Sequence, residues 1–175
     1  SIDDLLSVKF LACPKILVIH VSLSGYITQE NSPTRAEEMQ QLLSTYLDKI
    51  GAISVAVSSM KQTTWGAIGP VIPFYIDSDF FNGYNGQIAA GLRVANQISQ
   101  KSILLDWRNH QRIAEGFPVK LIGYNPDMPG VQRANDLYAL RAYYRNHRFY
   151  LHTARYDFED GFTTSSLEAM ACGMP

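Results

Sequence analysis

The stretch FYLHT (Phe149 to Thr153), RYDFE (Arg155 to Glu159) and DGFTTSSLEAMACGMP (Asp160 to Pro175) decides how this chain is read. Phe149 to Thr153 reads as a strand, and Ser166 to Cys172 as a helix. Between them lies a loop bearing Arg155, Asp157, Glu159 and Asp160, with Gly161 permitting a tight turn. Thr163, Thr164, Ser165 and Ser166 supply hydroxyls and backbone N–H groups where the helix begins. In an open α/β sheet ligands bind beyond the carboxyl ends of strands, where helix N-termini attract phosphate oxygens. The segment therefore suits a sugar diphosphate.

Working outward, strand-like runs alternate with helical ones, the pattern of an α/β fold with parallel strands. Lys15 to His20 (KILVIH), after Pro14, reads as a central strand followed by a loop. Ser32-Pro33 is expected to cap a helix with Leu42, Leu43, Tyr46 and Leu47 on its apolar stripe and Gly51 as its stop. Ile53 to Val57 is a second strand, and Ser58 or Ser59 caps a short helix carrying Met60 and Trp65. Val71 to Phe81 reads as a strand or extended segment broken by Pro73, and Asn82 to Gly86 as a surface loop. We place a domain boundary near residue 74, giving domains 1–73 and 74–175. Beyond it, Gln87 to Ala90 is a weak strand, Ser102 to Ala114 a helix, Val119 to Ile122 a strand, and Leu137 to Asn146 a helix. Tyr138, Tyr143, Tyr144 and Tyr150 read as packing or interface residues, and Trp65 and Trp107 as core.

Composition sets the outer bounds. The 175 residues are 46% hydrophobic and 18% charged with a net charge of -1, which argues against disorder and against a nucleic-acid partner. The longest apolar run, Ile16 to Ile19, is far short of a membrane span, so a soluble, cytoplasmic protein with at most peripheral membrane association is expected. Cys13 and Cys172 lack metal-site spacing and read as core residues.

Asp160 and Glu168 stand eight positions apart, one in the loop and one in the helix. The loop carboxylate suits a sugar and the helix carboxylate a ribose. On spacing alone Ser165-x-x-Glu168 reads first as a capping box, in which the glutamate satisfies backbone donors.

As a whole, DGFTTSSLEAMACGMP resembles the motif of the large retaining glycosyltransferase family typified by sucrose synthase-like and mannosyltransferase enzymes, the family 4-like, group 1 enzymes of GT-B architecture. In that family an acidic residue, Gly-Phe, a polar stretch and Leu-Glu-Ala-Met-Ala-Cys-Gly-x-Pro follow a strand. The family's first carboxylate is usually glutamate, so this chain carries a D-x7-E form, with Glu159 as an alternative to Asp160. Upstream, Ile53 to Gly66 and Val71 to Phe81 resemble the stretch leading into the family's second domain; Ile76-Asp77 stands, and Phe74-Tyr75 replaces the usual Asn-Gly.

The resemblance implies two Rossmann-like domains, each partly represented, with the chain covering roughly the central half of such an enzyme. It implies transfer of a sugar from a nucleotide diphosphate to a carbohydrate or lipid-linked acceptor hydroxyl with retention of configuration. The sugar nucleotide is a substrate, and neither a cofactor nor a metal is implied. Asp160 would take the donor sugar and Glu168 the ribose, while Gly161, Phe162 and Thr163 to Ser166 would form the donor loop. Arg93 and Lys101 match the family's basic pair that holds the diphosphate, although both also read as solvated residues flanking a helix. His20 resembles the family's histidine facing the interdomain cleft; a histidine at a strand end otherwise reads as structural. A non-catalytic nucleotide-sugar-binding or assembly module is the alternative function, and an epimerase or phosphorylase of the same fold a third. Unpaired apolar strand edges would make the chain prone to association.

Overall fold

The computed structural model describes residues 5, 7–158 and 163–175, and Glu159, Asp160, Gly161 and Phe162 lie outside the described residues. The protein is mixed α/β, with a two-stranded and a three-stranded parallel sheet, compatible with a Rossmann-like arrangement. It divides into two compact units, one reaching Phe74 and the other starting at Tyr75, with Asp157 and Phe158 counted in the first.

In the first unit β1 (Lys15–Ile19) is followed by α1 (Leu23–Gln29), α2 (Ala36–Ile50), β2 (Ala52–Ala56) and α3 (Ser59–Thr64). β1 and β2 run parallel in the register Lys15↔Ala52 to Ile19↔Ala56. Met39, Leu43 and Leu47 recur every fourth residue on α2 and face the core beside Ile19, Leu23, Ala56 and Trp65. The Trp65 indole N–H donates to the Val21 carbonyl at 2.9 Å, satisfying its polar edge inside that core. The helix stops at Gly51, whose left-handed φ of 62° favours glycine.

Several expectations for this unit are corrected. The loop after β1 contains α1, capped by Ser22, whose hydroxyl accepts from Gly25 N–H at 3.2 Å. α2 starts after Arg35, not at Ser32-Pro33, and its apolar stripe turns on Met39 while Leu42 is exposed. Of the extended segment 71–81, only Val71 pairs, bridging to Ala56; the chain beyond it is irregular. Cys13 is exposed. Ile16, Val18 and Ile53 are also exposed, which leaves an apolar face on the β1–β2 sheet.

The second unit is built on β3 (Ile88–Val94), β4 (Val119–Ile122) and β5 (His147–Tyr150), in the order β4-β3-β5 with all pairs parallel. Helices α4 (Ser102–Leu105) and α5 (Trp107–Ala114) connect β3 to β4. α6 (Leu137–Asn146) precedes β5, and α7 (Thr164–Cys172) follows it beyond a short 3-10 turn at Tyr156–Phe158. Leu92, Ile122, Tyr144, Ala169, Cys172 and Met174 form the core with Phe81.

The central strand β3 runs well past the expected Ala90. Its Ala-Ala-Gly stretch has weak strand propensity, but the glycine is there for packing: a Cβ on Gly91 would come within 2.5 Å of the Phe149 ring on β5. The expected helix 102–114 is split at Asp106, which adopts a left-handed φ of 47° and caps α5 through its carboxylate. β5 begins two residues earlier than expected and ends at Tyr150, because the carbonyls of the next residues are taken by a side chain of β3. No helix among the described residues is long and apolar enough to cross a membrane.

Candidate functional site

The strand order fixes where a ligand meets this unit. From β3 the chain passes to β4 on one side and returns to β5 on the other, so the carboxyl ends of β3 and β5 flank a topological switch point. The loop after β3 leads to Lys101 and α4, and the loop after β5 leads to α7.

The helix carrying the C-terminal motif starts earlier than its sequence suggests. Thr163 is its N-cap, with its hydroxyl accepting from Ser166 N–H at 3.3 Å. The Thr163 hydroxyl also lies 3.2 Å from that of Ser165 and 3.0 Å from that of Ser166. The Tyr150 hydroxyl, at the end of β5, donates to Ser165 Oγ at 2.9 Å, which ties the strand to the first turn of the helix. The N–H groups of Thr164 and Ser165 have no acceptor among the described residues. They present the positive end of the helix.

With Thr163 as cap, the Ser165-x-x-Glu168 capping box is ruled out. Glu168 instead accepts a hydrogen bond from the Tyr144 hydroxyl at 2.8 Å. Burial raises the Glu168 carboxyl above its ordinary range, and the Tyr144 bond works in the opposite direction. Tyr144 is fully buried, and its phenol is pushed far up by burial and then by the neighbouring Tyr150 and Glu168.

Arg93 lies within β3, neither just after it nor solvated beside a helix, and is 1% exposed. Its Nη1 donates to the Leu151 carbonyl at 3.2 Å and lies 2.8 Å from His152 Nδ1, while Nη2 donates to the Thr153 carbonyl at 3.0 Å. A guanidinium only donates, so His152 accepts at Nδ1 and carries its proton on Nε2. The Thr153 hydroxyl completes the knot by donating to the Leu105 carbonyl at 2.7 Å. Arg93 thus shapes the start of the loop leading to α7. Lys101 is half-buried at the entrance of α4, its backbone N–H bonded to Gln97 O at 2.8 Å.

Beside this knot His110 is buried, stacked on Trp107 with centroids 4.8 Å apart, and its Nδ1 has no partner among the described residues. Burial, and secondly the Arg93 charge, lower its pKa from 6.5 to about 4. In the first unit His20 stands just past β1, exposed, with its ring stacked on Phe74 at 5.6 Å. It borders a cavity of about 280 Å³ that Leu17, Tyr26 and Trp65 also line.

Of the residues expected from sequence, Thr163, Ser165 and Ser166 come together as one hydroxyl cluster, Thr164 sits beside them, and Glu168 lies on the same helix. Asp160, Gly161 and Phe162 lie outside the described residues. Sequence reasoning assigned Tyr144 and Tyr150 to packing and passed over His110 and His152. The only sign of the tyrosines' polar role was their number on the helix and strand preceding the motif. Among the described residues no three His, Cys, Asp or Glu side chains are grouped to hold a metal ion. Compared with protein-family models and with curated proteins, the chain matches none.

Proposed function

We propose that the chain belongs to a retaining glycosyltransferase of GT-B architecture, moving a sugar from a nucleotide diphosphate to an acceptor hydroxyl. The observation that carries this reading is the position of α7. The helix bearing LEAMAC starts beyond β5 at the switch point, with two N–H groups at its N-terminus that have no acceptor among the described residues and Glu168 one turn further in. The N–H groups of Thr164 and Ser165 suit the phosphates, Lys101 the negative charge that grows on the departing diphosphate, and Glu168 the ribose hydroxyls. Asp160 is assigned the donor sugar. In the reaction the anomeric C–O bond to the diphosphate breaks with its electron pair leaving on the diphosphate oxygen, a C–O bond to the acceptor forms on the same face, and the acceptor hydroxyl's proton passes to the departing diphosphate.

Titration with UDP, GDP and ADP sugars, with Glu168→Ala alongside, tests the proposal. Binding of one donor that the variant loses supports it, and absence of binding to all three sinks it. A second reading, nucleotide-sugar binding without turnover, draws on Arg93, whose guanidinium is committed to the 151–153 backbone and His152 and leaves Lys101 as the remaining member of the expected basic pair. Product analysis by NMR with a bound donor and candidate acceptors separates transfer from binding alone.

A further inference from the structure

Tyr144 presents a physical puzzle. Its side chain is fully buried among Phe81, Leu92, Ile122 and Ala169, where a phenylalanine would fill the same volume. Its ring sits edge-on to Phe81 at 6.1 Å and 5.9 Å from Tyr150. A buried hydroxyl needs a partner, and a backbone carbonyl would serve at little cost. Here the partner is a carboxylate, itself drawn partly out of water on the next helix. For folding alone, an apolar pair at these positions would do as well or better.

We propose that Tyr144 is a positioning residue that sets the Glu168 carboxylate to recognise the vicinal hydroxyls of a ribose, making the site selective for ribonucleotides. Glu168 has three side-chain torsions, and the 2.8 Å bond to Oε2 holds the carboxylate in one orientation. Oε1 has no hydrogen-bond partner among the described residues and keeps both lone pairs for adjacent hydroxyl donors. The phenol is rigid because Phe81 and Tyr150 confine its ring, so the carboxylate is set before ligand arrives and less ordering is needed on binding. This inference rests on the donor-site reading above, which gives Glu168 the ribose, and it adds the residue that holds the carboxylate in place.

The test uses Tyr144→Phe, which keeps the ring, and compares UDP, GDP and ADP with their 2′,3′-dideoxy forms. For the preferred nucleotide the wild type should favour the ribose form, and Tyr144→Phe should shrink that preference by about tenfold while leaving dideoxy affinity unchanged. Combined with Glu168→Gln, the tyrosine change should add little, since the two act through one contact. The pH at which the ribose preference fades on acidification should also move up in Tyr144→Phe, because the bond that opposes the raised carboxyl pKa is gone. A purely structural latch between α6 and α7 would instead lower affinity for both nucleotide forms equally, and that result overturns the inference. So does an unchanged ribose preference in a folded Tyr144→Phe. If the wild type binds none of the three diphosphates, the donor-site reading falls and the inference with it. If Tyr144→Phe does not fold, Glu168→Gln decides: it must abolish the ribose preference and spare dideoxy affinity, or the inference fails.

Discussion

Replacing Arg93 by Met tests whether this side chain is a structural knot. The change keeps an unbranched apolar stem and removes the guanidinium, leaving the Leu151 carbonyl, the Thr153 carbonyl and His152 Nδ1 without donors they now have at 3.2, 3.0 and 2.8 Å. At about 1 kcal/mol for each acceptor stripped of its donor, the second unit should lose about 3 kcal/mol. With a urea slope of about 1.5 kcal/mol per molar, its unfolding midpoint should fall by about 2 M. The chain has two tryptophans, so in a Trp65→Phe background Trp107, in the second unit, alone reports this transition. The same variant removes a charge that helps hold down the His110 pKa, which should rise from about 4 toward 6.5 in an NMR titration. Nucleotide affinity should fall equally for mono- and diphosphates, because Arg93 acts through the loop. A midpoint within about 0.5 M of the parent refutes the hydrogen-bond accounting, and selective loss of diphosphate binding refutes the positioning role.

The remaining predictions concern pH, a glycine and a cap. His110 stays neutral in the fold down to about pH 4 whereas its ordinary pKa is 6.5. Between those values the unfolded chain binds the extra proton, so stability should fall as pH drops through the window, by up to about 1.4 kcal/mol per pH unit. Urea titrations of His110→Phe across pH 4 to 7 should show that component of the slope removed. Gly123→Ala should destabilise the second unit by about 3 kcal/mol in the Trp107 assay: its φ is +142° and a Cβ would collide with the Ala95 carbonyl. Thr163→Ala should cost about 1 kcal/mol by loss of the cap, and hydrogen exchange should show faster opening of the first turn of α7, whereas Thr163→Ser restores both.

Much of the architecture was legible because it rests on local rules. The β-branched run KILVI, the stop at Gly51, the serine cap before α3, the VKLI strand, and helix 137–146 all follow from propensity, capping and turn chemistry. The alternation of strands and helices established the α/β class, and the motif at 163–175 marked the helix on which the proposed site depends. The sequence alone could not fix the extent of β3, because Ala-Ala-Gly becomes strand there only by lying against Phe149 and between two parallel neighbours. Nor could it separate the roles of charged and polar groups. Arg93 read either as a diphosphate ligand or as a solvated cation until the 151–153 backbone closed around it, and Glu168 either as a ribose ligand or as half of a capping box until Thr163 took the cap and Tyr144, 24 residues away, bonded the carboxylate. Propensity and capping act within one turn of chain, and sequence records them directly. The partners of a buried charge are distant in sequence and meet only when the sheet and its helices pack.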